Sequence, residues 1–418
     1  MNRTIAPSLK PIESIALISP IVKKVADQCE LIWIKDVPDE TCRFELHFKA
    51  GTIQGDVLIA GLTNALLLSG TNEKSTTQIH DELAQLGAYI TMQATTEEAL
   101  VGVFFLREYF DRVVEIVFDA IQNVIFPSHE IDDIIRDRKQ TYLVNSKKMS
   151  VLARRLFAQH FFVNDARYGR IATIEEYDTV DPASIVEFHQ QFYLKGLTQI
   201  ICVANIEEPL IDKWCRKFAA WNCQQESTFI EHIDNKAIEI YEEKEEAVQT
   251  AIRIGFPLFN KTNIDFVGVY VLQTVLGSYF GSRLMSNLRE DKGYTYGIGS
   301  GIAEMRNTGY LIIATEVKKE VHVDALHQIK LEIQRLKEET IGEGELQLVK
   351  NYLLGQLLKD ADGSDALMDL YLSVNTYGLD LDFYNDFIER VKNITAEELL
   401  ELAKKYLKVE NATIIKVG

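Results

Sequence analysis

Apolar residues along this chain follow two rhythms. Over 31–49 and 88–106 they are β-branched or aromatic and read as strands. Over 107–124, 130–160 and 182–193 they return every three or four positions and read as helices. The stretch 56–68 is a mostly apolar helix. The later part repeats the style, with strands at 248–256 and 294–316 and helices at 265–276, 321–338 and 344–359. Polar residues gather at 226–236 and predict a connection. Each side of it runs strand, helix, strands, then several helices. That order predicts an α+β fold of two similar halves, with helices packed on one face of each sheet. The expected division is 1–225, the linker 226–236, and 237–418.

Internal similarity supports two halves. The segment from Asp181 to Tyr193 can be laid on Thr395 to Leu407, an offset of 395 − 181 = 214. Each segment opens on an N-cap residue. Pro182 takes the first helical position, where its missing N–H costs nothing. Thr395 with Glu398 reads as a capping box. Ile185/Leu399, Phe188/Leu402 and Phe192/Tyr406 then match. Each helix leads to a strand, with Ile200/Ile414, Ile201/Ile415 and Val203/Val417 in register. The same offset pairs Ile134-Ile135-Arg136 with Leu348-Val349-Lys350. Two matches at one offset indicate duplication.

The 418 residues exceed what one core usually serves. Lys and Arg number 44 against 62 Asp and Glu, a net charge of −18. Such a surface repels nucleic acid and anionic membranes and attracts basic peptides. No apolar run is long enough to cross a bilayer. Pro7, Pro11, Glu13 and Pro20 break any signal-peptide core. The cysteines, Cys29, Cys42, Cys202, Cys215 and Cys223, are odd in number and contain no C-x-x-C. A reduced, cytoplasmic setting is expected.

The stretch Gly61-Leu-Thr-Asn-Ala-Leu-Leu-Leu-Ser-Gly-Thr71, with Lys74-Ser75, Leu86-Gly87-Ala88 and Thr95-Thr96-Glu97, resembles the first half of pitrilysin/insulinase-type zinc peptidases. That family includes the mitochondrial processing peptidase. Leu276-Gly-Ser-Tyr-Phe-Gly-Ser-Arg-Leu284 and Leu288-Arg-Glu-Asp-Lys-Gly-Tyr-Thr-Tyr296 resemble its second-half signature. The resemblance covers nearly the whole chain in order. It implies two halves, each with a largely antiparallel sheet. It also implies an inverted H-x-x-E-H zinc motif on the first helix, with Glu polarising the attacking water. Here the three motif positions fall on Gly61, Asn64 and Ala65. Gly61 and Ala65 offer no donor, and neutral Asn64 cannot take a proton. The family's third ligand, a Glu, falls around 138–145, yet 139–164 holds no Asp or Glu. The zinc site is therefore expected to be absent.

Nothing else in the sequence replaces it. No two of the eight histidines stand three or four apart, and His322 and His327 are five apart. They read as ordinary surface or boundary residues. The chain has no G-x-S-x-G elbow and no phosphate loop, and the glycines of 293–301 lie in a strand context.

Arg289 and Tyr296 are retained at the family spacing. The resemblance implies that they reach across a cleft towards the carbonyl of a zinc-bound peptide. On residue type alone, Arg289 could equally pair with Glu290 or Asp291, and Tyr296 could be a buried strand aromatic. Some members of the family split zinc and the Arg/Tyr pair between two chains. The expectation is thus a non-catalytic subunit assisting a homologous, zinc-bearing partner in peptide hydrolysis. No cofactor is expected in this chain, and zinc is expected in the partner. The rival is a structural or peptide-binding scaffold with no hydrolytic role. Whether the isolated chain pairs with itself stays open.

Overall fold

The computed structural model describes residues 12–418 apart from Cys223, Gln225 and Ser227. The start of the chain with Pro7 and Pro11, Cys223 and the boundary at Gln225 lie outside them. Two sheets organise the molecule. The first holds β1 (Ile21–Ala26), β2 (Cys29–Ile34), β3 (Thr41–Phe48), β4 (Tyr89–Ala94), β5 (Ala99–Leu106) and β6 (Leu197–Val203), ordered β1-β2-β6-β3-β5-β4. The second holds β7 (Ile238–Glu242), β8 (Gln249–Leu258), β9 (Ile298–Glu304), β10 (Gly309–Lys318) and β11 (Thr413–Val417), ordered β7-β11-β8-β10-β9.

Apart from β1, every strand of one sheet has a counterpart in the other. The pairs β2/β6 and β7/β11 are parallel, and the remaining neighbours are antiparallel. Register matches too. Val203 faces Ile34 and Arg43, while Val417 faces Glu242 and Ala251. Since 417 − 203 = 214, the sequence offset survives as a topological one.

The first half carries α1 (Val57–Ala65), α2 (Thr76–Gln85), α3 (Phe110–Gln122), α4 (Ser128–Asn145), α5 (Met149–Phe161), α6 (Ala166–Gly169), α7 (Pro182–Phe192) and α8 (Glu208–Phe218). The second carries α9 (Phe266–Gln273), α10 (His322–Glu338), α11 (Glu343–Asp360), α12 (Ser364–Asn375), α13 (Asp382–Asn393) and α14 (Ala396–Tyr406). The matched helices α7 and α14 are capped as their sequences demand: Asp181 accepts from Ala183 N and Thr395 from Glu398 N. The reciprocal half of the expected capping box is missing, because Arg390 holds the Glu398 carboxylate. A complete box closes α2 instead, between Ser75 and Gln78.

The single helix expected over 130–160 is two. The chain turns after Asn145, and α5 leaves its own half to lie on the second sheet. There Ala153, Phe157 and Phe161 pack with Ala251, Ile415 and Val417. Gly255 makes this approach possible, since a Cβ there would stand 2.3 Å from Phe157 Cζ. The counterpart α12 does the converse. Its Met368 enters the first sheet beside Ile32, Ile34, Ile201 and Val203. Each sheet therefore has its own helices on one face and one borrowed helix on the other. This explains why β2 and β6 read as continuous apolar runs rather than alternating ones.

The polar connection 226–236 is pinned rather than loose. Ile230 and Ile233 are buried with α5. Asn164 brackets the segment by donating to His232 O at 2.8 Å and accepting from Asp234 N at 3.1 Å.

Candidate functional site

Helix α1 carries the three motif positions. Asp56 caps it by accepting from Leu58 N at 2.8 Å. Asn64, where the resemblance would put the family's base, is buried and donates from Nδ2 to the hydroxyl of fully buried Tyr193 at 3.1 Å. A polar side chain at this position now serves the core. Gly61 and Ala65 are half-exposed, and a Cβ on Gly61 would meet no atom within 4 Å. That space opens into a cleft of about 250 Å³ lined by Gly61, Arg138, Tyr142, Arg155, Arg170 and Tyr177, among others.

Two of these residues, Arg138 and Tyr142, stand on the part of α4 where the third ligand was sought. A divalent ion over Gly61 would meet guanidinium groups instead of carboxylates, and like charges repel. Among the described residues no group of three or more His, Cys, Asp or Glu could hold a metal. Purified protein dialysed without chelator is expected to hold well under one zinc per chain by elemental analysis. A ratio near one that disappears on mutating a histidine would overturn this.

The reading of all the histidines as surface or boundary residues needs correction. His189 is buried, with Nε2 2.8 Å from Ile121 O, and burial holds its imidazole down at about 4. His47 is buried against Glu45, its Nε2 3.1 Å from Oε2. Both sit on apolar elements, where a hydrogen-bond partner makes burial tolerable.

The second-half signature lies on two π-helical turns, Thr274–Ser278 and Met285–Asp291. Such turns are rare and often occur at functional sites. Leu284 and Leu288 anchor the second turn in the core, and Arg283 grips Glu345 through Nε at 2.9 Å and Nη2 at 2.8 Å. Gly293, at φ 63°, lets the chain reverse so that Tyr294 N can bond Leu288 O. Arg289 is half-exposed. Its Nε lies 3.7 Å from Glu290 Oε1, and its guanidinium lies 4.9 Å from the centre of the exposed Phe280 ring.

Tyr296 stays in the loop before β9 and does not enter the strand, contrary to the sequence reading. It is 92% exposed, and among the described residues no hydrogen bond reaches its hydroxyl. Among the described residues no hydrogen bond or ring contact joins it to Arg289, and neither side chain lines the cleft over Gly61. The sequence reading missed Arg155 and Arg170 altogether. The signal for Arg155 was the acid-free stretch 139–164, which suggests only a missing ligand; Arg170 lies beyond it and had no such signal.

Two matched sheets, each with its own helices on one face and a borrowed helix on the other, define the class, an α+β fold of two similar halves. Two family models match, one described as insulinase (peptidase family M16) over 31–171 and one as the peptidase M16 inactive domain over 179–353. The chain belongs to peptidase family M16. It is 22% identical over 390 residues to a Helicobacter pylori protein named non-peptidase homolog YmxG, covering 89% of this chain and 88% of that one. It is 22% identical over 310 residues to the Bacillus subtilis protein named probable inactive metalloprotease YmfF, covering 72% and 71%. Among solved structures, a peptidase M16 inactive domain from Pseudomonas fluorescens superposes with a TM-score of 0.85 at 21% identity, covering 96% and 98% of the two chains. A Helicobacter pylori structure described as a protease gives 0.82 at 12% identity, covering 96% and 100%. None of the described helices is long and apolar enough to cross a membrane.

Proposed function

We propose that this chain is the non-catalytic, substrate-binding and transition-state-assisting subunit of a heterodimeric zinc peptidase. The observation that carries the reading is the state of Tyr296. A structural strand aromatic would be buried, whereas this phenol is 92% exposed and has no hydrogen bond among the described residues. Nearby Arg289 has one loose carboxylate partner and a ring beneath it. The edge strand β4 ends the first sheet beside α1, and an extended peptide could add to such an edge. The partner is a homologous chain with an intact zinc motif, in the cytoplasm, where the buried thiols of Cys42 and Cys202 stay reduced.

Co-expression with a candidate partner tests this, with peptidase assays on each chain and on the mixture. Cleavage by the mixture far above either chain is the expected result. The name of the Helicobacter pylori relative, a non-peptidase homologue, favours a second reading, a peptide-binding scaffold. A stable complex that binds peptide without cutting it would establish that reading in place of the first.

A further inference from the structure

The cleft over Gly61 has a charge balance the rest of the molecule does not predict. This chain carries 18 more acids than bases. Most of its arginines accordingly have carboxylate partners: Arg136 pairs with Asp133, and Arg170 with both Asp56 and Glu176. Arg138 has no hydrogen bond or carboxylate partner among the described residues. Arg155 donates only to the neutral Ser146 Oγ at 2.9 Å and stacks on Tyr142 with its guanidinium 4.1 Å from the ring centre. Tyr142 in turn meets Tyr177 edge-on at 6.2 Å. Arg138, Arg155 and Tyr177 line the same cleft; burial pushes the Tyr177 phenol up, and the charges of both arginines oppose the shift.

The second half has a cleft of its own among α9, α11 and α13, where Lys261 is paired with Glu304 at 3.3 Å. Arg138 and Arg155 of the first-half cleft have no such carboxylate among the described residues. The remaining walls are apolar: Val57, Leu58 and Leu62 on one side, Ile171 and Ala172 on the other. The first free amide of α1 is already taken by Asp56, whose carboxylate lies at the same end as Glu176. A dianion such as phosphate would face these acids. A monoanion with an apolar body suits the site better.

We propose that this cleft binds a peptide through a carboxylate, with Arg138 and Arg155 as its charge partners and Tyr142 and Tyr177 packing against the adjoining side chain. The site belongs to this chain alone and needs no zinc-bearing partner, so its test is separate from that of the peptidase reading.

The full chain is titrated with three labelled tetrapeptides and followed by fluorescence anisotropy. One ends in Phe with a free C-terminal carboxylate, one is its C-terminal amide, and one is the amide carrying an internal Glu. Binding by the free acid alone assigns the site to a C-terminus, and binding by the Glu amide assigns it to an acidic side chain. Either supports the proposal, provided Arg138→Gln and Arg155→Gln each weaken it about tenfold, the size expected for a hydrogen bond to a charged group. Arg136→Gln, on a paired surface arginine, should leave affinity unchanged. Equal binding of all three peptides, no binding at all, unchanged affinity in both cleft variants, or tighter competition by inorganic phosphate than by the carboxylate peptides would overturn it.

Discussion

If the proposed two-chain peptidase is reconstituted, Tyr296→Phe is expected to lower its kcat about a hundredfold while assembly and KM change little. On the proposed reading, zinc in the partner would polarise the scissile carbonyl, and the tetrahedral intermediate would still carry a full negative charge. A donor that strengthens as this charge develops accelerates the chemical step and not binding. Losing such a donor costs about 3 kcal/mol. The exposed Tyr296 hydroxyl breaks no intramolecular hydrogen bond when it engages the oxyanion. Arg289 is similarly uncommitted. A pair at 3.7 Å with an exposed glutamate is screened by water and contributes little. The guanidinium can therefore leave Glu290 at small cost, and Arg289→Ala is expected to lower kcat to a similar degree. Gel filtration checks assembly, and steady-state kinetics separate kcat from KM. If both variants assemble and cleave at the wild-type rate, the two residues are structural and the scaffold reading replaces the peptidase one.

The rigid support for these residues lies in features no periodicity reveals. Leu276 to Leu284 and Leu288 to Tyr296 were legible as a signature, yet their π-helical backbone was not. The apolar spacing that seats Leu284 and Leu288 in the core is compatible with an ordinary helix. The wider helical turn is imposed by tertiary contacts such as Arg283 with Glu345 and Asn287 with Glu332. That Gly61, Asn64 and Ala65 include no histidine or carboxylate was legible because it depends on residue type alone. The cleft beside them was not. Arg138 and Arg155 stand 17 apart in sequence, by 155 − 138, and on different helices. Only the break after Asn145 brings both to one cleft.

Element matching shows the same division. Helix α7 and strand β6 were found because capping residues and β-branched runs are local signals. Helices α2, α6, α8, α12 and α13 and strands β1 and β7 were missed. The burial of α12 is decided by the other half's sheet, where Met368 packs on Ile32 and Val203. Its own sequence mixes apolar residues with Asp365 and Asp369, which look like a solvated face. The offset of 214 held this information: α5 moved by that amount covers 363–375, and α12 is Ser364–Asn375. The borrowed-helix exchange was therefore encoded in the repeat, although neither helix announces its partner.

Those aspartates lead to the largest stability effect. Glu45→Gln is expected to destabilise the protein by about 3 kcal/mol. On β3, Phe44 and Leu46 face the first half's own core, so Arg43, Glu45 and His47 face the borrowed α12. Arg43 Nε donates to Glu45 Oε1 at 2.8 Å, and Nη1 reaches Asp369 Oδ1 at 2.7 Å and Asp365 O at 3.2 Å. Glu45 also meets His47 through its second oxygen at 3.1 Å. Burial alone would raise the Glu45 carboxyl, but the hydrogen bonds from His47 and Arg43 and their charges hold it at about 2. Removing the carboxylate leaves a buried guanidinium with only a half-solvated partner, the case in which a buried pair matters most. Asp369→Asn, whose side chain is 65% exposed, should cost about 1 kcal/mol or less. The pH dependence follows from the depressed pKa. Stability from Glu45 is fully present above the unfolded value of about 4.3 and is lost as pH falls towards 2. Urea titrations of wild type and Glu45→Gln should therefore differ at neutral pH and converge as the solution is acidified from about 5 towards 2. A difference that is absent at pH 7, or that grows on acidification, would show that the Arg43–Glu45–His47 row does not fasten α12 to the first sheet.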